Sequence, residues 1–327
     1  RGGAALVLAA LCCCLPALSR AEEPEIYTLL SPKGKVLTRY QGQCEKGDEY
    51  ISGDNQHYRV TQVDEADHIA RTELIGSAEM PDVGWLDQVA DATPVSAVTR
   101  KIALYCTHSD ESYIEGDGTQ SSEKRGGIYD VSAKFGARLE ELGATVERSE
   151  ETHHPHDAGA YRRSRQTAVK LLKSQPNAIF DLHRDGIPDP EEYAVTIGGE
   201  KMSKVRLLVG KSNQNKEANL SFAKQIKAVG DKLYPKLIKD IYMGKGTYNQ
   251  DLAPRSVLLE FGTHTLSKER VLRSTGPMAE VCYKALFGGV TGSAGASDVS
   301  GSKSAENVPA VQSNKGSGAA VWIILAL

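Results

Sequence analysis

Ile102-Ala103-Leu104-Tyr105-Cys106-Thr107-His108-Ser109-Asp110-Glu111-Ser112-Tyr113 reads as a buried strand that runs straight into a cluster of ionisable side chains. A continuous apolar run without alternation suits a strand covered on both faces, as in a parallel sheet. The pattern recurs twice. Ala178-Ile179-Phe180-Asp181-Leu182 leads into His183-Arg184-Asp185, and Ser256-Val257-Leu258-Leu259-Glu260-Phe261 stops at Gly262. Shorter strands read at 145–147, 193–197 and 205–209. Helical spacing fills 127–143, which ends at a glycine, and also 160–174, 217–233 and 268–287. Strands alternating with helices predict an α/β fold, a three-layer mostly parallel sheet, with its chemistry at the carboxyl ends of the strands.

Outside this unit (101–287), the chain changes character. Residues 21–76 carry short alternating stretches such as Val36-Leu37-Thr38-Arg39-Tyr40, separated by turns at Pro32-Lys33-Gly34 and Gly53-Asp54-Asn55. That predicts a small β module ahead of the larger fold, joined to it by a connector at 77–100. Residues 4–18 are almost unbroken in their apolarity after Arg1, about 15 residues where a spanning helix needs about 20. Segment 1–20 therefore reads as a signal peptide or membrane anchor, with Ala17-Leu18-Ser19 as a cleavage candidate. Segment 288–318 has a Gly/Ser-rich linker composition. It leads into Ala319-Ala320-Val321-Trp322-Ile323-Ile324-Leu325-Ala326-Leu327, read as a truncated C-terminal membrane segment with Trp322 near the interface.

Composition narrows the function classes. Of 327 residues, 40% are hydrophobic and 25% charged, which excludes wholesale disorder. A net charge of −3 leaves no basic excess to neutralise a phosphate backbone, so nucleic acid is not an expected partner. Cys44, Cys106 and Cys282 are too scattered to make a disulfide framework.

The chemistry concentrates at the three strand ends, which a parallel sheet would bring together. His108 and Glu111 form an H-x-x-E pair, and His183 completes a His₂Glu set. That set is a catalytic zinc inventory with one position left open. Glu260 then supplies the carboxylate that an attacking water needs as its proton acceptor. Arg184 is a candidate to stabilise the oxyanion or grip a substrate carboxylate, or alternatively to form an ion pair with Asp185 or Asp181. His156, in the loop His153-His154-Pro155-His156-Asp157, is an alternative third ligand in place of Glu111. The basic run Tyr161-Arg162-Arg163-Ser164-Arg165 and the stretch Tyr248-Asn249-Gln250-Asp251 are candidates to line a groove. The arrangement is similar to that of zinc carboxypeptidases and the cell-wall amidases sharing their fold.

Thr107-His108-Ser109-Asp110-Glu111-Ser112-Tyr113 further resembles the H-T-H-T-x-E-S-Y signature of the stage II sporulation protein P family, peptidoglycan hydrolases of endospore-forming bacteria. The match continues through Gly126-Gly127-Ile128-Tyr129-Asp130-Val131, His156-Asp157 and Ala160-Tyr161-Arg162-Arg163-Ser164-Arg165. It closes with Asp181-Leu182-His183-Arg184-Asp185, Tyr248-Asn249-Gln250-Asp251-Leu252 and Leu258-Leu259-Glu260-Phe261-Gly262. The resemblance implies a zinc-dependent N-acetylmuramoyl-L-alanine amidase with a second, endopeptidase activity on stem peptides. It also implies an exported, membrane-anchored protein facing the cell wall, acting in septal wall removal during engulfment beside a lytic transglycosylase, stage II sporulation protein D. Where the family has its first His, this chain has Cys106, which shares a side of the extended strand with His108. Related amidases take a glutamate ligand at a distance that makes Glu123 a further alternative. A peptidoglycan endopeptidase or carboxypeptidase would use the same metal set. An inactive wall-binding scaffold is the remaining reading, against which stands the presence of all four site residues.

Overall fold

The computed structural model describes residues 25–87 and 99–288. The leader 1–20, residues 88–98 of the connector, the linker from 289 and the segment 319–327 lie outside the described residues. Five strands come first: β1 (Ile26–Leu30), β2 (Val36–Gln41), β3 (Glu49–Ile51), β4 (Gln56–Asp64) and β5 (Ile69–Ser77). In β2 every second residue is buried, so Thr38 and Tyr40 face inward while Val36, Leu37, Arg39 and Gln41 do not. Gly34 sits at φ +76° in the β1–β2 turn, a conformation that favours glycine.

From Lys101 the chain alternates strand and helix. β6 (Lys101–Tyr105) is followed by a short kinked helix α1 (Ile114–Asp117), α2 (Ile128–Glu141), β7 (Thr145–Arg148), α3 (Ala160–Leu172) and β8 (Ala178–Asp185). A two-stranded hairpin, β9 (Ala194–Ile197) and β10 (Glu200–Ser203), precedes β11 (Val205–Gly210). The chain ends its described part with α4 (Lys216–Leu233), β12 (Ile238–Gly244), β13 (Ser256–Thr263) and α5 (Lys268–Phe287). Eleven strands make one sheet in the order β2-β1-β5-β4-β3-β12-β11-β13-β8-β6-β7. In its second half the pairs β12–β11, β13–β8, β8–β6 and β6–β7 are parallel, and only β11–β13 is antiparallel.

Burial follows sequence periodicity. On α2, Ile128, Val131, Phe135 and Leu139 are fully buried at helical spacing. Along β8, Ala178, Phe180 and Leu182 enter the main core with Phe135 of α2, Phe222 of α4 and Met278 of α5. Phe180 lies edge-on to Phe135 at 6.1 Å and tilted against Phe222 at 5.9 Å. Each such buried aromatic stabilises the fold by about 1.5–3 kcal/mol. Ile179, on the opposite face, packs with Ala168 and Leu171 of α3. Helices therefore cover both faces, the three layers expected. They leave the alternate residues Asp181, His183 and Asp185 on the α3 side.

The five N-terminal strands do not stand apart as the sequence suggested. β3 pairs with β12, setting Tyr50 opposite Tyr242 and Ile51 opposite Ile241, so the small module continues the main sheet. The join was hidden because Lys239 and Asp240 interrupt the apolar run of β12, a strand absent from the sequence reading. Lys239 pairs with Glu192 and Asp240, and Asp240 is accommodated by Arg206, itself 0% exposed within apolar β11. Its Nε donates to Asp240 Oδ1 at 2.7 Å, its Nη1 to Asp185 Oδ2 at 3.1 Å, and its Nη2 to Thr38 Oγ1 at 2.6 Å and the Arg39 carbonyl at 2.9 Å. Burial pushes the Asp240 carboxyl up, but Arg206 and Lys239 outweigh it and hold its pKa below the ordinary carboxylate range.

Arg206→Met would leave Asp240 and Asp185 buried beside an apolar chain. We expect a loss of about 3–5 kcal/mol in a urea titration, because one charge of a buried network remains uncompensated. Since folded Asp240 titrates below its unfolded value, its contribution to wild-type stability is present above about pH 4 and declines as the pH falls further. The variant should lack that acid limb. A midpoint unchanged by the substitution would show that the network is not needed for stability.

Candidate metal centre

β6 ends at Tyr105, and the following residues fold into a turn closed by the Glu111 N–H donating to the His108 carbonyl at 3.2 Å. The loop doubles back so closely that a Cβ on Gly126 would fall 2.3 Å from the Glu111 carbonyl oxygen, which accounts for the glycine there. The turn brings His108 Nδ1 to 3.1 Å from Glu111 Oε1, while His183 Nδ1 from the end of β8 lies 3.4 Å from the same oxygen. One ligand atom from each of the three side chains falls within 4.8 Å of the others. Glu111 is held from behind, since its Oε2 accepts from the Arg184 backbone N–H at 2.8 Å.

The imidazoles are also positioned. His183 Nε2 faces Asp181 Oδ1 at 3.0 Å, and Asp181 is fixed in turn by the Thr107 N–H at 2.8 Å and the Thr107 hydroxyl at 2.6 Å. His108 stacks on His156 at 3.8 Å and meets the edge of Tyr161 at 5.5 Å. His156 is itself anchored by Asp110, 3.1 Å from its Nδ1, and Asp110 also accepts from the Ser121 hydroxyl at 2.6 Å. Glu260 sits beside His183 in the β13–β8 register and beside Arg206 in the β13–β11 register. Its Oε2 is shut from solvent with no hydrogen-bond partner among the described residues.

The electrostatics follow from this packing. Burial lowers the His108 pKa to about 4, assisted by the neighbouring His183 and His156, against the pull of Glu111. Burial also opposes a charged His183, but the Asp181 and Glu111 carboxylates outweigh it and hold its pKa well above the ordinary value. Glu111 resists the same desolvation through His183 and His108 and stays well below the carboxylate range. Glu260 goes the other way. Burial, with Asp185 and Glu111 nearby, pushes its carboxyl up to about 8.

This donor set fits a divalent zinc ion. Two imidazole nitrogens and one carboxylate oxygen are the ligands of a catalytic site that keeps a position open, and Asp181 is the carboxylate partner that commonly orients a ligating histidine. The unpartnered oxygen of Glu260 supplies what such a site would use.

Other residues singled out from sequence fall in different places. Arg184 is not paired with either aspartate side chain. Its guanidinium donates to the carbonyls of Ser112 at 3.2 Å and Gln120 at 2.9 Å, so it braces the loop carrying Glu111. Cys106 is buried in the main core on the α2 side, Glu123 is exposed, and neither joins the cluster. His156 touches it only by stacking. His153 clamps the β6 end to α3, its ring lying between the Cys106 carbonyl at 2.9 Å and the Thr167 hydroxyl at 2.8 Å. In the stretch after β12, Gln250 bonds the Gly210 N–H and the Leu208 carbonyl, while Asp251 takes a two-pronged contact from Arg165. Tyr248 packs on Tyr161 at 5.4 Å, and its hydroxyl lies 3.2 Å from that of Tyr40, which carries the contact back to β2. The network around Arg206 was missed. Its one sequence signal was a lone arginine inside an apolar strand.

The model of the family "Stage II sporulation protein P (SpoIIP)" matches residues 21–283. Stage II sporulation protein P of Bacillus subtilis (strain 168) is 31% identical over 199 residues, 55% of this chain and 49% of that protein, so the chain spans about half the length of the curated relative it matches. Among solved structures, the N-acetylmuramoyl-L-alanine amidase AmiC2 of Nostoc punctiforme is 12% identical with a TM-score of 0.39, over 58% of this chain and 97% of that one. The CwlD amidase of Clostridioides difficile, solved in complex with the GerS lipoprotein, is 17% identical with a TM-score of 0.37, over 57% and 95%. The family match extends over both the N-terminal strands and the metal-ligand cluster, and the chain belongs to the stage II sporulation protein P family.

Proposed function

We propose that this chain is a zinc-dependent peptidoglycan hydrolase that cleaves the amide between N-acetylmuramic acid and L-alanine in septal wall remodelling during sporulation. One observation carries the reading: His108, Glu111 and His183 converge beside a buried, unpartnered carboxylate oxygen of Glu260. Family membership and the motif resemblance supply the substrate. The apolar stretches at 4–18 and 319–327 support an exported, membrane-anchored enzyme facing the wall, and stage II sporulation protein D is the proposed partner.

In this reading His108, Glu111 and His183 hold the ion. Bound there, zinc supplies a Lewis acid that polarises a carbonyl and lowers the pKa of a water towards ~7. Glu260 takes the proton of the attacking water as the water oxygen bonds to the carbonyl carbon. It then delivers that proton to the departing amine as the C–N bond breaks. A cation nearby favours the charged carboxylate, drawing Glu260 down from its raised pKa into the base form. Asp181 keeps His183 in its ligating orientation, and Arg184, through Ser112 and Gln120, keeps Glu111 in place.

Two measurements test the assignment. Wild type and Glu260→Gln should each bind one zinc, while only wild type releases stem peptides with a free L-Ala amino terminus from purified peptidoglycan. The variant's kcat should fall by about 10²–10⁴-fold. Failure of both proteins to bind zinc, or full activity in the variant, would overturn the mechanism. Separately, Asp181→Asn should weaken zinc affinity about 10–100-fold in competition with a chelator. Unchanged affinity would remove Asp181 from the support of the site.

A further inference from the structure

Tyr161, on the first turn of α3, walls the metal-ligand cluster on one side. Its ring meets His108 edge-on at 5.5 Å and lies nearly parallel to His183 at 6.3 Å, with 17° between the planes. The residue is half-buried, and its hydroxyl has no hydrogen-bond partner among the described residues. Burial, with Asp181, Tyr248, Glu260 and Glu111 nearby, holds its pKa well above the ordinary value. The phenol thus sits in the field of the site's own carboxylates as a neutral hydrogen-bond donor.

The ring is held from behind. Tyr248 packs edge-on against it at 5.4 Å, and the Tyr248 hydroxyl lies 3.2 Å from that of Tyr40, which stacks on Tyr242 at 3.8 Å. Asn249 Nδ2 donates to the Tyr161 carbonyl at 3.0 Å and to the Ser164 hydroxyl at 3.1 Å. Tyr248 and Asn249 take φ values of +49° and +55°, the left-handed region that residues with a side chain rarely occupy. Two such residues in succession are strained, and what they secure is the position of Tyr161.

Four other donors near the site are already engaged. Arg184 donates to the carbonyls of Ser112 and Gln120, and Arg206 to Asp240 and Asp185. The Tyr113 hydroxyl donates to the Phe261 carbonyl at 2.9 Å, and the Tyr193 hydroxyl to Asp185 at 2.6 Å. The Tyr161 hydroxyl, by contrast, keeps its hydrogen unused beside the ligands and Glu260. Amide hydrolysis builds negative charge on the carbonyl oxygen, and a donor aimed at that charge lowers the barrier.

We propose that Tyr161 is a further catalytic residue, whose hydroxyl donates a hydrogen bond to the scissile carbonyl oxygen as that oxygen becomes negative. Its O–H bond stays intact throughout, while the proton of the attacking water passes to Glu260 and then to the departing amine. The substrate rests on the hydrolase reading above; the residue rests on where the ring and its unpaired hydroxyl lie.

Tyr161→Phe removes only the hydroxyl. Its kcat on purified peptidoglycan should fall about 10²–10³-fold with KM unchanged. A phosphinic analogue of the muramyl–L-alanine linkage, with a tetrahedral phosphorus in place of the carbonyl carbon, should bind the zinc-loaded variant more weakly by a similar factor in calorimetry. Zinc affinity in competition with a chelator, and the thermal midpoint, should match wild type. Full kcat in the variant, undiminished affinity for the analogue, or a drop in zinc affinity would each overturn the assignment, the last by making Tyr161 a prop for the ligands. Wild type decides the reading beneath it. Zinc bound without release of stem peptides sinks the hydrolase and this role with it, whereas equal release by wild type and variant sinks only the role of Tyr161.

Discussion

A guanidinium with no access to water sits at the centre of this molecule. Arg206 gathers β2, β8, β11 and β12 onto one side chain, through Thr38 and Arg39, Asp185, its own strand and Asp240 respectively. Such a network is costly to desolvate and is retained only when its geometry satisfies nearly every donor. Here the planar fork does so, with bonds to two carboxylates, a hydroxyl and a carbonyl. The neighbouring Tyr193 hydroxyl donates to Asp185 at 2.6 Å and completes the coordination of that carboxylate. The same arginine lies beside Glu260 in the ladder, so the element that fixes the N-terminal strands also conditions the field around the proposed base.

Around that anchor the site is built in tiers. Apolar alternation on β8 sends Phe180 and Leu182 into the helical layer and leaves Asp181, His183 and Asp185 in a row on the other face. Asp181 orients His183, and Asp185 engages Arg206. His183 is left between them to meet the turn that follows β6. The imidazole of His108 meets the Glu111 carboxylate at 3.1 Å and is supported laterally by stacking on His156, which Asp110 anchors in turn.

Much of this was legible in the amino-acid order because burial and chemistry coincide at strand ends. Largely apolar runs leading to His108, His183 and Glu260 marked the sheet and the strand ends at which these side chains come together. Less legible was anything decided by side-chain direction across long separations. Arg184 follows a ligand in sequence and invites a catalytic role, yet its guanidinium turns to the carbonyls of a loop some 70 residues away. Cys106 and His108 share parity on paper, but β6 ends at Tyr105 and the chain turns before His108, so parity no longer applies. β12 went unread because Lys239 and Asp240 look like surface charge until Arg206 and Glu192 are placed beside them.

The pairing of β3 with β12 has a consequence for how the chain is divided. Cutting at the boundary that composition suggests, ahead of Lys101, would remove the neighbour of β12 and leave that largely buried, apolar strand as a bare sheet edge. An edge of unpaired backbone N–H and C=O groups flanked by Ile241, Tyr242 and Met243 is a template for association with other chains. The N-terminal strands thus cover an edge that would otherwise stand open to pairing with another chain.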